Sequence, residues 1–459
     1  MSAVADMTPR TGSLGRILAL GAFWTLFGAV VSRGLTLVGA VLAGRILGTS
    51  GFGEVTMIQS TQGLFGVLAG AGLGLAATKF VAEFRSADPL RASRCVALAT
   101  SIAVISGAIV AAVLCVCAEP IAIHILNAPH LTLELRIATG LVFFGTINGV
   151  QTGAVVGYGD FRIAAILSCI RGAGLCFLLI AGIQFGGVMG GVIALVVTEA
   201  IAVVSNHLAL QRLFPQQRAV WHDRSAAWID LKAMCRFSVF SLAGSVCTMA
   251  AMWYSNVVLV AQADGYSALG IFNAADRWRQ VLLFVPASFS PLILSLLSNL
   301  HGNNDAGAYR RLFGVNLWIS AAVVIVPSAG LAFFATSAMG LFGAEYRDGW
   351  MTLVILSASA IAVVMNNILG QILISQGAVL GRFLLDVLLS AALALVSWWL
   401  IPQYHDEGMA IGSLVAYSVT ALALIAPAIY FMKQKARGAG GLACTEPASE
   451  SPAPREDCQ

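Results

Sequence analysis

Apolar runs long enough to cross a bilayer recur from one end of this 459-residue chain to the other. A crossing helix needs about 20 predominantly apolar residues. Such runs fall at 18–44, 55–78, 95–117, 134–156, 163–184 and 187–210, and again at 237–261, 268–296, 312–335, 350–374, 383–401 and 408–432. With 58% of its residues hydrophobic and 10% charged, the chain lacks the polar surface that a soluble globular enzyme needs. The expected fold class is an all-α polytopic membrane protein, with about 12 transmembrane helices in two parallel six-helix repeats around a central cavity.

Charge sets the expected orientation. With the N-terminus placed in the cytoplasm, eighteen of the 26 basic residues lie in segments on that side. Three lie opposite (Arg45, Arg136 and Arg347), and five lie within spans (Arg33, Lys79, Arg171, Arg277 and Arg279). That asymmetry follows the positive-inside rule and predicts that both termini are cytoplasmic. The expected organisation is a cytoplasmic N-terminus (1–17), a six-helix lobe (18–210), a cytoplasmic linker (211–236), a second six-helix lobe (237–432) and a disordered tail (433–459). The first apolar run lacks a cleavable leader pattern and is expected to stay in the mature chain.

The halves resemble each other. GTSGFGEV, Gly48 to Val55, matches GYSALGIF, Gly265 to Phe272, at an offset of 217. Gln151, Gly157 and Arg162 match Gln371, Gly377 and Arg382 at 220, and Gly187 and Gly191 match Gly408 and Gly412 at 221. Near-constant offsets point to duplication. An even number of spans per copy makes the repeat parallel, an arrangement that in transporters sets a cavity between halves that rock.

Several chemistries are excluded at this level. No G-x-x-x-x-G-K-[ST] loop is present to cradle ATP, and no H-E-x-x-H or clustered histidines mark a metal site, so neither a cofactor nor a metal is expected. The nine cysteines include no C-x-x-C pair and read as small packing residues. GLGLAA at Gly72–Ala77 and the stripe Gly149, Gly153 and Gly157 lie within apolar runs. Both read as bare helix faces that let a neighbouring backbone approach, and the stripe is also a surface that could slide. Prolines 286, 291, 327 and 427 are expected to kink their helices.

Charges at membrane depth cost about 2.5–3.5 kcal/mol each even on lenient insertion scales, so they normally face a bundle interior or a watery cavity. Arg33, Arg171, Arg277 and Arg279 are candidates for a cationic chamber, because a guanidinium holds its charge and grips phosphate with paired donors. Glu199, Asp276 and Asp386 are candidate ion-coupling groups. Two readings stay open for several of these: Asp276 with Arg279, three apart, and Arg382 with Asp386, four apart, also suit mutual neutralisation. Lys79 with Glu83 suits an interfacial pair, and Glu199 is either the partner of Arg171 or a proton carrier. Asn148, Gln151, Asn367 and Gln371 (with Asn366 beside them) are candidate glycan contacts or helix-joining groups.

AGRILGTSGFGEV (Ala43 to Val55), ILNAPHLTLELRIA (Ile125 to Ala138) and VVGYGDFR (Val155 to Arg162) resemble segments of the polysaccharide and O-antigen flippases. These form the polysaccharide transport branch of the multidrug, oligosaccharidyl-lipid and polysaccharide exporter superfamily. The resemblance extends over Leu14 to Met432. It implies a non-enzymatic inner-membrane transporter that moves undecaprenyl-diphosphate-linked oligosaccharide by alternating access, with a polysaccharide polymerase and chain-length machinery as partners. The four arginines are assigned to the diphosphate by depth and charge, not by a family motif. A cation-coupled multidrug exporter of the same superfamily is the nearest alternative, and a membrane glycan polymerase or ligase is the alternative of another class.

Overall fold

The computed structural model describes residues 11–70, 72–213, 243–302, 306–375 and 379–442. Most of the expected inter-lobe linker and the last seventeen residues of the expected tail lie outside them. The described residues are helical, with no strand among them. In chain order the helices are α1 (Thr11–Gly70), α2 (Leu73–Phe84), α3 (Pro89–Pro120), α4 (Thr132–Tyr158), α5 (Phe161–Ala173), α6 (Leu179–Leu213), α7 (Ala243–Val260), α8 (Gly265–Gly302), α9 (Ala306–Phe333), α10 (Ala335–Gly340), α11 (Trp350–Ser375) and α12 (Val379–Leu442). A π-helical turn, Gly174–Leu178, joins α5 to α6.

Among the described residues, eight helical stretches are long and apolar enough to cross a membrane. The longest are not single rods. α1 breaks at Gly48 (φ 69°, ψ −176°), α6 at Gly186 and Gly187 (φ 54° at the latter) and α12 at His405 (φ 47°). At the α6 break the chain doubles back so tightly that Gly182 and Gly190 press on each other's carbonyls, leaving neither room for a Cβ. The α12 break does the same: Gly408 lies against the Leu400 carbonyl and Gly412 against Ser397. The two hairpins occupy corresponding places in the two halves.

α8, α9 and α12 run through Pro286, Pro291, Pro327 and Pro427 as helix, and the non-helical backbone falls on the glycines and His405 instead. A proline forfeits one backbone hydrogen bond yet keeps a helical φ, whereas positive φ is open chiefly to glycine. At the C-terminus, 433–442 continues α12 as helix rather than starting the disordered tail. Its first residues, KQKAR, are good helix formers.

Close approach is set by small residues. Gly153 and Gly157 lie on the backbone of Gly74 and Thr78, and the Thr78 hydroxyl donates to the Gly153 carbonyl at 3.0 Å, so the α4 stripe seats α2. Gly28 and Gly172 seat α1 against α5 in the same way.

The hydrophobic core is asymmetric along the bundle. One cluster joins both halves, from Phe52, Leu126 and Leu135 to Phe272, Phe342, Tyr346 and Met409, all at the end where the two matched glycine motifs lie. Away from that end the cores separate. Leu73, Val81, Ala99 and Val155 belong to the first half alone, and Leu282, Val324, Ile368 and Leu424 to the second. Among the described residues, the halves thus share a core at one end and have separate cores at the other.

Candidate functional site: the cleft between the halves

The fused end is built by the duplicated motif meeting its own copy. Gly53 of α1 packs on the Tyr266 carbonyl and Gly270 of α8 on the Thr49 carbonyl, and Gly53 and Gly270 each lie against the other's amide nitrogen. Thr49 and Tyr266 stand at the same 217-residue offset as the glycines, so the contact is symmetric about the axis relating the halves. Ser267 donates to Thr49 at 2.8 Å, and Tyr266 donates across to the Leu126 carbonyl at 2.9 Å. Tyr346 donates to the Gly48 carbonyl at 2.9 Å, and Arg45 Nε to the Leu341 carbonyl at 2.6 Å. Two further bonds lie deeper: Trp253 Nε1 to Thr61 at 3.1 Å and Asn256 Nδ2 to Ser60 at 2.6 Å.

From this crossing α8 carries its charges inward on two opposite faces. Seven residues beyond Gly270, or about 10 Å along the axis, Arg277 returns to the crossing face, and its Nε has no hydrogen-bond partner. Phe284, seven residues further on the same face, stacks under the Arg33 guanidinium of α1 at 4.8 Å. Arg279, turned about 200° from Arg277, faces the interior of the second half instead. It is 5% exposed, donates from Nε to Asp276 Oδ1 at 2.8 Å and reaches Ser359 of α11 at 3.3 Å. Gln280 adds a bond to Asp276 Oδ2 at 2.7 Å.

The four candidate arginines fall in different settings. Arg33 and Arg277 lie on faces that the halves turn toward each other. Arg171 sits beside Arg33's helix, since Gly172 packs on Ser32, and it bonds Glu199. Arg279 is spent on Asp276. The carboxylates are likewise engaged: Arg382 bonds Asp386 (Nη2 to Oδ1, 2.8 Å) and reaches Asn366 at 3.3 Å, with Gly244 of α7 packed against Asp386. Lys79 and Glu83 are exposed. Asn148 donates to Glu199 at 2.8 Å, Gln151 and Gln371 are buried, and Asn367 is exposed, so of these four Asn367 alone is open to a ligand.

Sequence reasoning missed Phe284, Thr49 and Tyr266. The repeat that contains the last two was legible, but nothing in it indicates that the copies touch.

The profile of the polysaccharide biosynthesis protein family matches residues 18–294, more than half of the chain. The chain belongs to that family. Among curated relatives, the lipid III flippases of Escherichia coli (strain K12) and Shigella flexneri are each 24% identical over 305 residues, spanning 63% of this chain and 69% of theirs. This family member also shares the fold of solved multidrug resistance transporters of the MATE family in the MOP superfamily. An inward-facing one superposes with a TM-score of 0.71 at 17% identity, over 89% of this chain and 99% of that one. An outward-facing one gives 0.60 at 19% identity, over 89% and 96%. The relatives are transporters and flippases, and this family member is a membrane protein of polysaccharide biosynthesis with a transporter fold.

Proposed function

We propose that this protein is a flippase that carries lipid-diphosphate-linked oligosaccharide across the bacterial inner membrane by alternating access, for surface polysaccharide export. The observation that carries the reading is Arg277: a guanidinium on the face of α8 turned toward the first half, its Nε without a hydrogen-bond partner, on the same face as Phe284, which stacks under Arg33 of the first half. Asp276 is its neighbouring charge, and a diphosphate supplies the acceptor oxygen that its Nε lacks. The glycan lies between the halves, and the polyprenyl tail stays in lipid.

Placed by the positive-inside rule, with both termini cytoplasmic, the fused end faces the periplasm and the separated cores face the cytoplasm. The chain is then poised to receive cargo from the inner leaflet, in keeping with its greater likeness to an inward-facing relative (0.71) than to an outward-facing one (0.60). A polymerase and chain-length machinery are the partners that would consume the exported units.

A cation-coupled drug exporter is the second reading, favoured by the shared fold. It calls for an acidic group open to a cation. Glu199, Asp276 and Asp386 each bond an arginine, which supports the flippase instead. The test is complementation of a deletion strain. Arg277→Ala and Arg33→Ala, at normal protein levels, should abolish surface polysaccharide without altering resistance to cationic dyes. Full export by both variants, or dye sensitivity in the deletion strain, would overturn the proposal.

A further inference from the structure

Glu199 is held in the first half by two quite different partners. Its side chain is 10% exposed, whereas that of its ion partner Arg171 is 47% exposed. Arg171 directs both Nε, at 2.9 Å, and Nη2 onto the single oxygen Oε1. Oε2 accepts from Asn148 Nδ2 at 2.8 Å. The Asn148 carbonyl oxygen is itself held by Asn206 Nδ2 at 2.7 Å and Thr152 Oγ1 at 3.2 Å, which fixes its NH2 toward Glu199.

Arg171 stands on a polar strip of α5. Exposed Ser168 lies one turn before it, about 150° from the apolar strip of Ile166 and Ile170 that continues to Phe177 in the π-helical turn. The arginine thus points away from that apolar strip, next to the Ser32–Gly172 contact that brings in Arg33.

We propose that Arg171 and Glu199 form an exchangeable ion pair that couples arrival of the anionic diphosphate to uptake of one proton. This rests on the cargo reading above. Cargo phosphate takes Arg171 as its partner. Glu199 is left in a buried site with one amide donor, where an unpaired charge is costly, and Oε1 takes a proton from water. Oε2 keeps its bond from Asn148 in either state. Export of the cargo returns Arg171 to Oε1 and expels the proton.

Other groups on the packed elements do not replace Arg171. α1 brings Arg33, which stacks on Phe284, with Arg45 and Glu54 at the crossing end. α4 has Glu134 and Arg136 at its start and Tyr158 at its end, and α5 begins with Arg162, which lies over Trp24. The π-helical turn brings Cys176, and α6 itself brings His207, bonded to Gln211, and Arg212 in its last turn. Among the described residues, Arg171 is the charged group that bonds Glu199.

The test uses the full-length protein in lipid nanodiscs and farnesyl diphosphate as probe. Binding heats in two buffers of different ionisation enthalpy give the protons taken up per probe bound. The wild type should take up about one proton more than Glu199→Gln, which cancels titration of the probe itself. Relative to Glu199→Gln, its affinity should weaken by about tenfold for each pH unit over which that extra proton is taken up. Arg171→Ala should also lose the extra proton, because its Glu199 is neutral beforehand, and Arg171→Lys should retain it. Equal proton counts in wild type, Glu199→Gln and Arg171→Ala, with binding intact, refute the exchange and leave the cargo reading standing. Failure of the wild type to bind the probe removes both.

Discussion

Gly53 and Gly270 press against each other's backbone where α1 crosses α8, each seated on a carbonyl of the opposite half. Because neither site has room for a Cβ, the smallest possible side chain is enough to keep the halves from meeting there. Gly53→Ala and Gly270→Ala should each shift the protein away from the state closed at this end, and the double variant more so. Spin-label distances across the crossing should lengthen, while unchanged distances in the double variant would show that the glycines do not set the closure.

The bond between Thr49 and Ser267 gives a direct handle on the same closure. Cysteines at these two positions should cross-link under mild oxidation and arrest transport, with reduction restoring it. Introducing Gly53→Ala into that pair should lower the cross-linking yield several-fold, as read on a gel of the proteolysed protein.

Arg277 and Arg279, two positions apart, should separate by phenotype. Removing Arg279 leaves Asp276 buried without its ion partner, which typically costs about 3–5 kcal/mol. Arg279→Ala should therefore lower the melting temperature sharply, and the double variant Asp276→Leu with Arg279→Leu should recover most of the loss. Arg277→Ala should leave melting within about 1 kcal/mol of wild type and abolish transport. A large melting defect in Arg277→Ala would mean that its role is packing.

These two residues also mark the limit of what the sequence reveals. Hydropathy locates a charge along a helix but not around it, so Arg277 and Arg279 read as one cluster although they point to opposite sides of α8. The all-α class and the duplication are visible because apolar length and constant offsets are one-dimensional signals. Pairing is not: whether Glu199 bonds Arg171 depends on the crossing of α5 and α6, set by Gly174 against Thr198. The stacking of Arg33 on Phe284 needs both halves in place and carries no sequence signature.

The hairpin of α6 depends on the mutual approach of Gly182 and Gly190. Gly190→Leu forces the arms apart and should destabilise the first half by about 1–3 kcal/mol, seen as a lower melting temperature in detergent. The equivalent change at Gly408 should act likewise on the second half. Normal melting of both would contradict the tight turns described.

The central claim, that Arg277 and Arg33 grip a diphosphate in the cleft, is tested most directly with purified protein in liposomes and a fluorescent undecaprenyl-diphosphate oligosaccharide. Wild type should move the lipid between leaflets, and Arg277→Ala should slow this by tenfold or more at unchanged melting temperature, with Arg33→Ala close behind. Movement at the wild-type rate by the Arg277→Ala, Arg33→Ala double variant would contradict the account.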